Sequence, residues 1–349
     1  MRRLAVLAAL AVASTQAGCL MSRYLAQAAH GQVELLGKAR PLDEVVADPD
    51  TPLRTALLLA EIPSIKEYGR SYGLRIKRNY NAYSSLRRPA AVWFVGAADP
   101  VSFTPLKWCF PIVGCFAGLG WFDEDEGVRH KQELEAAGYD AIVRPASAYS
   151  TGGWFPDPVL STMLGGRDDA FPELANVILH ESVHATVLVP DQPFFNESFA
   201  SYVADTLTDR WIEERFGRGS PEELAWNLGQ ALAVHRTARL LDAYRQLEKV
   251  YASKATRAQK LARKAEIIDE LVADLRLRRR PNNASLTEVR VYNGGAAALI
   301  AAHRACGDLR HLIEAAKTLT RKDFATTLQD DLLPIGALLG ARCRRAART

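Results

Sequence analysis

The chain is expected to be an α+β protein, predominantly helical, with a small N-terminal sheet beside a central core and a long C-terminal helical region. Three observations lead there. Short apolar runs at 90–97, 118–122 and 141–144 carry the β-branched and aromatic residues of strands and are bounded by turn residues. Beyond Pro172 the sequence becomes strongly helical, rich in Ala, Leu, Glu, Lys and Arg. With 349 residues, 48% hydrophobic and 24% charged, there is apolar material for one large domain or two smaller ones.

Taken in order, residues 20–38 have helical character, and a polar stretch with Pro and Asp covers 40–52. A helix follows over 55–69, punctuated by Pro63. Between the second and third strand runs, 123–138 has an acidic first turn, apolar spacing and a terminal glycine, which mark a helix. The segment 149–166 is too rich in Gly, Pro and aromatics for a regular helix and reads as a loop or an irregular edge strand. Pro172 suits the first turn of a helix running through Leu188, and Pro190 stops it. The next helix is expected to start at Asn196 as its cap and to run toward Phe216. Residues 221–280 are too long for one ordinary helix and predict an antiparallel pair, with further helices over 286–302 and 309–319. The implied division is a leader at 1–18, a helical segment at 19–89, a core at 90–217 and a helical region at 218–349.

The first residues combine Arg2 and Arg3, an apolar stretch over 4–13 and the small residues Ala17 and Gly18 before Cys19. This is a secretory signal, and the junction resembles a bacterial lipobox, in which Cys19 becomes a lipidated N-terminus; Gln16 departs from that pattern. A simple secreted protein is the alternative. Leu20 is not the aspartate of inner-membrane retention, so the expected place is the periplasmic face of the outer membrane. Four cysteines remain, an even number suited to two disulfides in an exported chain. Cys109 and Cys115 close a short loop; Cys306 with Cys343 follows by elimination, free thiols being the alternative. A net charge of +4 with scattered basic residues gives no face for nucleic acid.

The chemistry concentrates at His180-Glu181-Ser182-Val183-His184. Residues four apart share a helix face, so both imidazoles can address one ion with Glu181 beside it. A catalytic zinc takes three protein ligands and leaves a position for water, and Glu197 supplies the third after the turn at Pro190 and Pro193. An accidental His-Glu-x-x-His arises in roughly one chain in a hundred of this size. The bland alternative is a solvated His/Glu face. The apolar flanks Val177, Ile178, Leu179, Val183 and Val187 oppose it, because two buried histidines and a glutamate without a partner would be costly.

With Asn196-Glu197-Ser198-Phe199-Ala200, this motif resembles the gluzincin metallopeptidases, and 196–203 is similar to the second zinc-binding helix of the large membrane alanyl aminopeptidases. The separation of His184 from Glu197 is shorter than theirs. More widely, the chain resembles a bacterial family of zinc aminopeptidase lipoproteins. Gly31-Gln32-Val33-Glu34-Leu35-Leu36, Trp108 through Cys115, and Ala148 through Phe155 carry that resemblance from the lipobox to at least Asn283. It implies a zincin-like core, one zinc ion, a peptide substrate and an aminopeptidase activity.

In the mechanism so implied, zinc lowers the pKa of its water to about 7 and Glu181 acts as general base, then returns the proton to the leaving amine. Tyr149 and Tyr292 are candidates for the oxyanion donor, and Asp205 for bracing a ligand histidine. Residues 149–155 are a candidate edge for an added peptide strand, 221–280 a candidate wall of the cleft, and Asp157 and Glu173 candidates for holding a substrate amine. His30, His130, His235, His303 and His311 stand alone and read as surface or core residues. The alternatives are a zinc endopeptidase and a non-catalytic envelope lipoprotein that binds a partner; oligomeric state has no signature.

Overall fold

The computed structural model describes residues 2–76, 78–110, 114–149, 156–165 and 169–346. It opens on a long helix, α1 (Arg2–Gly37), followed by strand β1 (Ala39–Pro41) and helices α2 (Leu42–Ala47), α3 (Leu53–Ala60) and α4 (Ile62–Ser71). The single helix expected over 55–69 is two. Pro63 sits in the first turn of α4, where its missing N–H is harmless, and the chain restarts there after Ala60.

Strands β2 (Ala82–Ser84), β3 (Val92–Ala98), β4 (Trp108–Phe110), β5 (Gly114–Phe116) and β6 (Gly118–Trp121) come next. Helix α5 (Glu124–Ala136) and strands β7 (Asp140–Ala146) and β8 (Val159–Leu160) complete this half. The three strands expected from sequence form one antiparallel sheet in the order β6-β3-β7, with Val95 opposite Leu119 on one side and Val143 on the other. Asp123 caps α5 by accepting from the Glu126 amide at 3.0 Å. A second sheet, β1-β2-β8, and the hairpin β4-β5 are too short to show a period in the sequence. The hairpin is clipped by the disulfide Cys109–Cys115, whose residues face each other across the ladder.

The remainder is helical: α6 (Ala170–His184), α7 (Pro193–Phe216), α8 (Pro221–Ala252), α9 (Arg257–Leu275), α10 (Asn283–Asn293), α11 (Ala296–Cys306), α12 (Leu309–Lys317) and α13 (Leu333–Ala346). The expected antiparallel pair is α8 and α9: Arg239 meets Asp274 at 2.6 Å, while Lys260 donates to the Tyr251 carbonyl at 2.6 Å near the turn. The helix expected over 286–302 breaks at Gly294-Gly295. A Cβ on Gly295 would lie 2.5 Å from Leu332 Cδ1 and 2.9 Å from Ser198 Cβ, so only glycine lets this corner rest on α7. A second disulfide, Cys306–Cys343, joins α11 to α13.

One apolar core runs from Leu35 through α3, α4, α6 and α7 to Leu339 and Cys343, drawing on 19–89, 90–217 and 218–349 alike. The sheet β6-β3-β7 packs on α5 and α10, whereas α6 packs on α7, α4, α8 and α3. The architecture is therefore α+β and mostly helical, with α10 linking the sheet to the α6–α7 pair. Among the described residues no helix is long and apolar enough to cross a membrane.

Candidate metal centre

Helices α6 and α7 run antiparallel, and the turn between them is fixed by buried amides. Asn196 was expected to cap α7; instead Pro193 begins the helix and Asn196 lies inside its first turn. Its Oδ1 accepts from the Val189 amide at 2.9 Å and its Nδ2 donates to the Val189 carbonyl at 2.8 Å. Gln192, wholly buried, donates to the Thr326 carbonyl at 2.7 Å and accepts from the Gln329 amide at 3.1 Å. These bonds satisfy the turn and set the register that places Glu197 opposite His180 and His184.

The three side chains converge. His180 Nε2 and His184 Nε2 are 3.1 Å apart, and Glu197 Oε2 lies 3.3 Å from the first and 3.4 Å from the second. A tetrahedral zinc with bonds of about 2.0–2.1 Å needs ligand atoms about 3.3–3.4 Å apart, so two imidazoles and one carboxylate fit that ion in donor type and in mutual spacing. Among the described residues this is the one group of three His, Cys, Asp or Glu side chains that could hold a metal. Glu181, half-buried, follows His180 directly and is not part of the converging set.

Burial and the cluster's own hydrogen bonds act against each other on its ionisable groups. Burial pushes the Glu197 carboxyl up, but hydrogen bonds from His180 and His184 outweigh it and hold the carboxyl well below the usual range. Burial likewise lowers His184, and its bond to Glu197, with the charges of Glu197 and Glu181, more than reverses this. The other ring nitrogen of His184, Nδ1, is buried and has no hydrogen-bond partner among the described residues.

Beneath the cluster, one turn back along α6, lies a residue that sequence reading missed. Asn176 Nδ2 donates to Asp205 Oδ1 at 2.8 Å, so Asp205 takes its hydrogen bond from Asn176 and not from a ligand histidine. Burial pushes Asp205 up to about 6, partly offset by Asn176, and the charge of His180 also reaches it. Asn176 precedes His180 by the same interval that separates the two histidines, so the helical period could have found it.

Tyr292 on α10 stands over the site, its ring stacked on His180 with centroids 6.2 Å apart. Arg144 on β7, bonded to Glu288 at 2.6 Å, also faces the Tyr292 hydroxyl. Burial and the nearby charge of Glu197 keep that hydroxyl protonated. Tyr149 is placed differently: its ring packs on Phe122 with centroids 5.0 Å apart, and burial, Tyr24 and Asp157 push it up to about 12. Among the described residues it has no interaction with the metal-facing side chains. Asp157 is buried, and Glu173 lies in the first turn of α6. From the C-terminal half it is Tyr292 of α10 that packs against the cluster.

Two of the solitary histidines are occupied elsewhere. His130 is buried beneath Trp121, whose Nε1 donates to its Nδ1 at 3.1 Å, and burial lowers it to about 4. His303 Nδ1 bonds the Tyr202 hydroxyl at 2.7 Å. A cavity of about 460 Å³, lined by Phe103, Phe194, Tyr244, Glu248 and Asp330 among others, contains none of the cluster's residues. The strand-addition segment 150–155 and the Cys19 side chain lie outside the described residues.

Fold and site define an α+β protein whose two central antiparallel helices bring together a His/His/Glu group that could hold a metal ion, with Glu181 beside it and outside that group. The family model described as "Putative aminopeptidase" matches residues 23–329, and the chain belongs to that family, whose description is that of a peptide hydrolase. No curated protein and no solved structure matches the chain.

Proposed function

We propose that this protein is a zinc-dependent aminopeptidase. The observation that carries the reading is the meeting of His180 Nε2, His184 Nε2 and Glu197 Oε2 within 4.8 Å of one another, with Glu181 adjacent in sequence and outside the ligand set. When bound, zinc supplies Lewis acidity that activates water and polarises a carbonyl. Glu181 accepts the proton of the attacking water and delivers it to the leaving amine, so the same carboxyl ends the cycle as it began. Tyr292, kept protonated beside the site, can donate to the developing oxyanion; Tyr149, which packs on Phe122, is the second candidate. A structural site has no need of an unliganded carboxylate next to the ion, which speaks against a purely structural role.

The exo-specific reading rests on the family's description and on the likeness of 196–203 to alanyl aminopeptidases. Zinc chemistry serves an endopeptidase equally, so the test compares a free peptide with its N-acetylated form. Loss of cleavage on acetylation is expected; equal cleavage at an internal bond would make the endopeptidase reading correct. Asp157 and Glu173 are the positions to substitute in search of the amine-binding carboxylate. The Ala17-Gly18-Cys19 junction supports attachment to the bacterial outer membrane through lipid on Cys19, facing the periplasm. Cys19→Ser should move the protein to a soluble fraction, and unchanged membrane retention would contradict the anchor.

A further inference from the structure

The cavity of about 460 Å³ that lies apart from the metal-facing residues has walls of two kinds. One is aromatic. Phe103, on the loop between β3 and β4, stacks on Tyr244 of α8 with ring centroids 3.8 Å apart and meets Tyr251, two turns further along that helix, at 5.4 Å. The other is acidic: Glu248, one turn from Tyr244, and Asp330 line the same space, and no lysine, arginine or histidine lines it among the described residues. Glu248 enters no ion pair with any of the described residues, so its charge is open to a ligand.

The walls are fixed by buried amides. Asn283, wholly buried, donates to the carbonyls of Asp99 and Ser102 at 2.8 and 2.9 Å and accepts from the Tyr251 hydroxyl at 2.8 Å, which ties the Phe103 loop to α8. Leu328 has a φ of 54°, held by its amide on the Asp191 carbonyl at 2.9 Å and by the bonds of Gln192 to Thr326 and Gln329 on either side. A cavity of this volume, largely apolar, with a few fixed polar groups, has the form of a small-ligand site.

The edge of the cavity shows which chemistry it suits. Arg290 of α10 lies over the Tyr244 ring, 6.0 Å from its centroid, with its guanidinium 3.7 Å from Asp330 Oδ2 and donating to the Asp330 carbonyl at 3.0 Å. An aromatic face and a carboxylate thus already share one cation there. Arg290 answers Asp330 and leaves Glu248 over. Burial, followed by the charges of Asp330 and Glu248, holds the Tyr244 hydroxyl above its ordinary range, the effect of a local negative field. That field repels an anion and favours a cation.

We propose that this cavity binds an organic cation, an ammonium or guanidinium group on an alkyl stem, with the stem against Phe103 and Tyr251 and the charge answered by Glu248. The inference goes beyond the peptidase reading and does not rest on it, since none of His180, Glu181, His184 and Glu197 takes part. A lysine side chain of a peptide and a free alkylamine share this chemistry.

The test is calorimetry on the full chain with N-acetyl-lysine amide, whose α-amine is blocked, against its neutral counterpart N-acetyl-norleucine amide. The lysine probe should bind about tenfold more tightly. Glu248→Gln, at an exposed position, should weaken the lysine probe by about two- to fivefold and leave the norleucine probe unchanged; Phe103→Leu should weaken the lysine probe by a similar factor. Chelator treatment should alter none of these affinities, so the outcome is separate from that of the zinc reading. Butylammonium distinguishes the sources: affinity matching the lysine probe supports a free amine, and weaker affinity supports a peptide side chain. Equal binding of the two amides, no binding of the lysine probe at millimolar concentration, full affinity in both variants, or loss of binding on chelation would overturn the assignment.

Discussion

The molecule contains two antiparallel helix pairs that reach their form by opposite routes. In α8–α9 the instructions are local: Ser220 caps α8, Thr256 and Gln259 form a capping box on α9, and surface pairs such as Arg239–Asp274 line the outside of a small apolar cluster. In α6–α7 neither Asp169 nor Gln192 caps its helix through the side chain. The pair instead buries Ser182, Gln192, Asn196, Ser198 and Thr208, and aims three ionisable side chains at one point. Burying polar groups is costly unless each has a partner, and a pair built only for stability would resemble α8–α9. The difference sets α6–α7 apart as the pair whose buried polar side chains surround a group that could hold a cation.

If that contrast is right, the largest effect belongs to the ligands. Glu197→Ala and His180→Ala should lose stoichiometric zinc, read by elemental analysis, whereas an equally drastic change on the other pair, Asp274→Ala, should leave the metal untouched. Next comes the buried turn: Asn196→Ala strands the amide and carbonyl of Val189 and should cost about 2–4 kcal/mol in denaturant unfolding.

The pH dependence of the metal-free protein sharpens the comparison. Glu197 is held below its ordinary 4.5, so its contribution is present above that value and fades as pH falls through the lower, folded one. His184 is held above its ordinary 6.5, so its contribution is complete below 6.5 and fades as pH rises through the higher, folded one. Stability of the apoprotein from this pair should therefore peak between about pH 5 and 6.5. Added zinc should remove the alkaline decline, because ligation uses neutral imidazole. Chemical unfolding at pH 5.5 and 8.5, with and without zinc, checks this; a metal-free profile flat across that range would count against the assigned cluster.

The smallest effects belong to α8–α9. Thr256→Ala removes one half of a capping box and should cost about 1 kcal/mol. Arg239→Ala, at an exposed ion pair, should change stability by about 0.2–1 kcal/mol. Neither should alter zinc content.

This asymmetry also explains what the sequence could convey. Helices α5, α8 and α9 announce themselves through caps and periodicity, and the strands β3, β6 and β7 through apolar runs bounded by turns. The two histidines were legible because the helical repeat fixes which side chains share a face, and Glu197 because it opens the next helix after a short proline-bounded turn. Asn196 was read as a cap because local rules cannot see a bond back to Val189 across a turn. Two-residue strands such as β8 exist only through their partner β2.

The central claim is that α6 and α7 hold a catalytic zinc with Glu181 as its base. The most direct test measures zinc content and peptide hydrolysis together in the wild-type protein and in Glu181→Gln. The account predicts about one zinc per chain in both, with turnover in the variant reduced by about 10²- to 10⁴-fold. Hydrolysis by Glu181→Gln at the wild-type rate, or a wild-type protein that takes up no zinc, would contradict it.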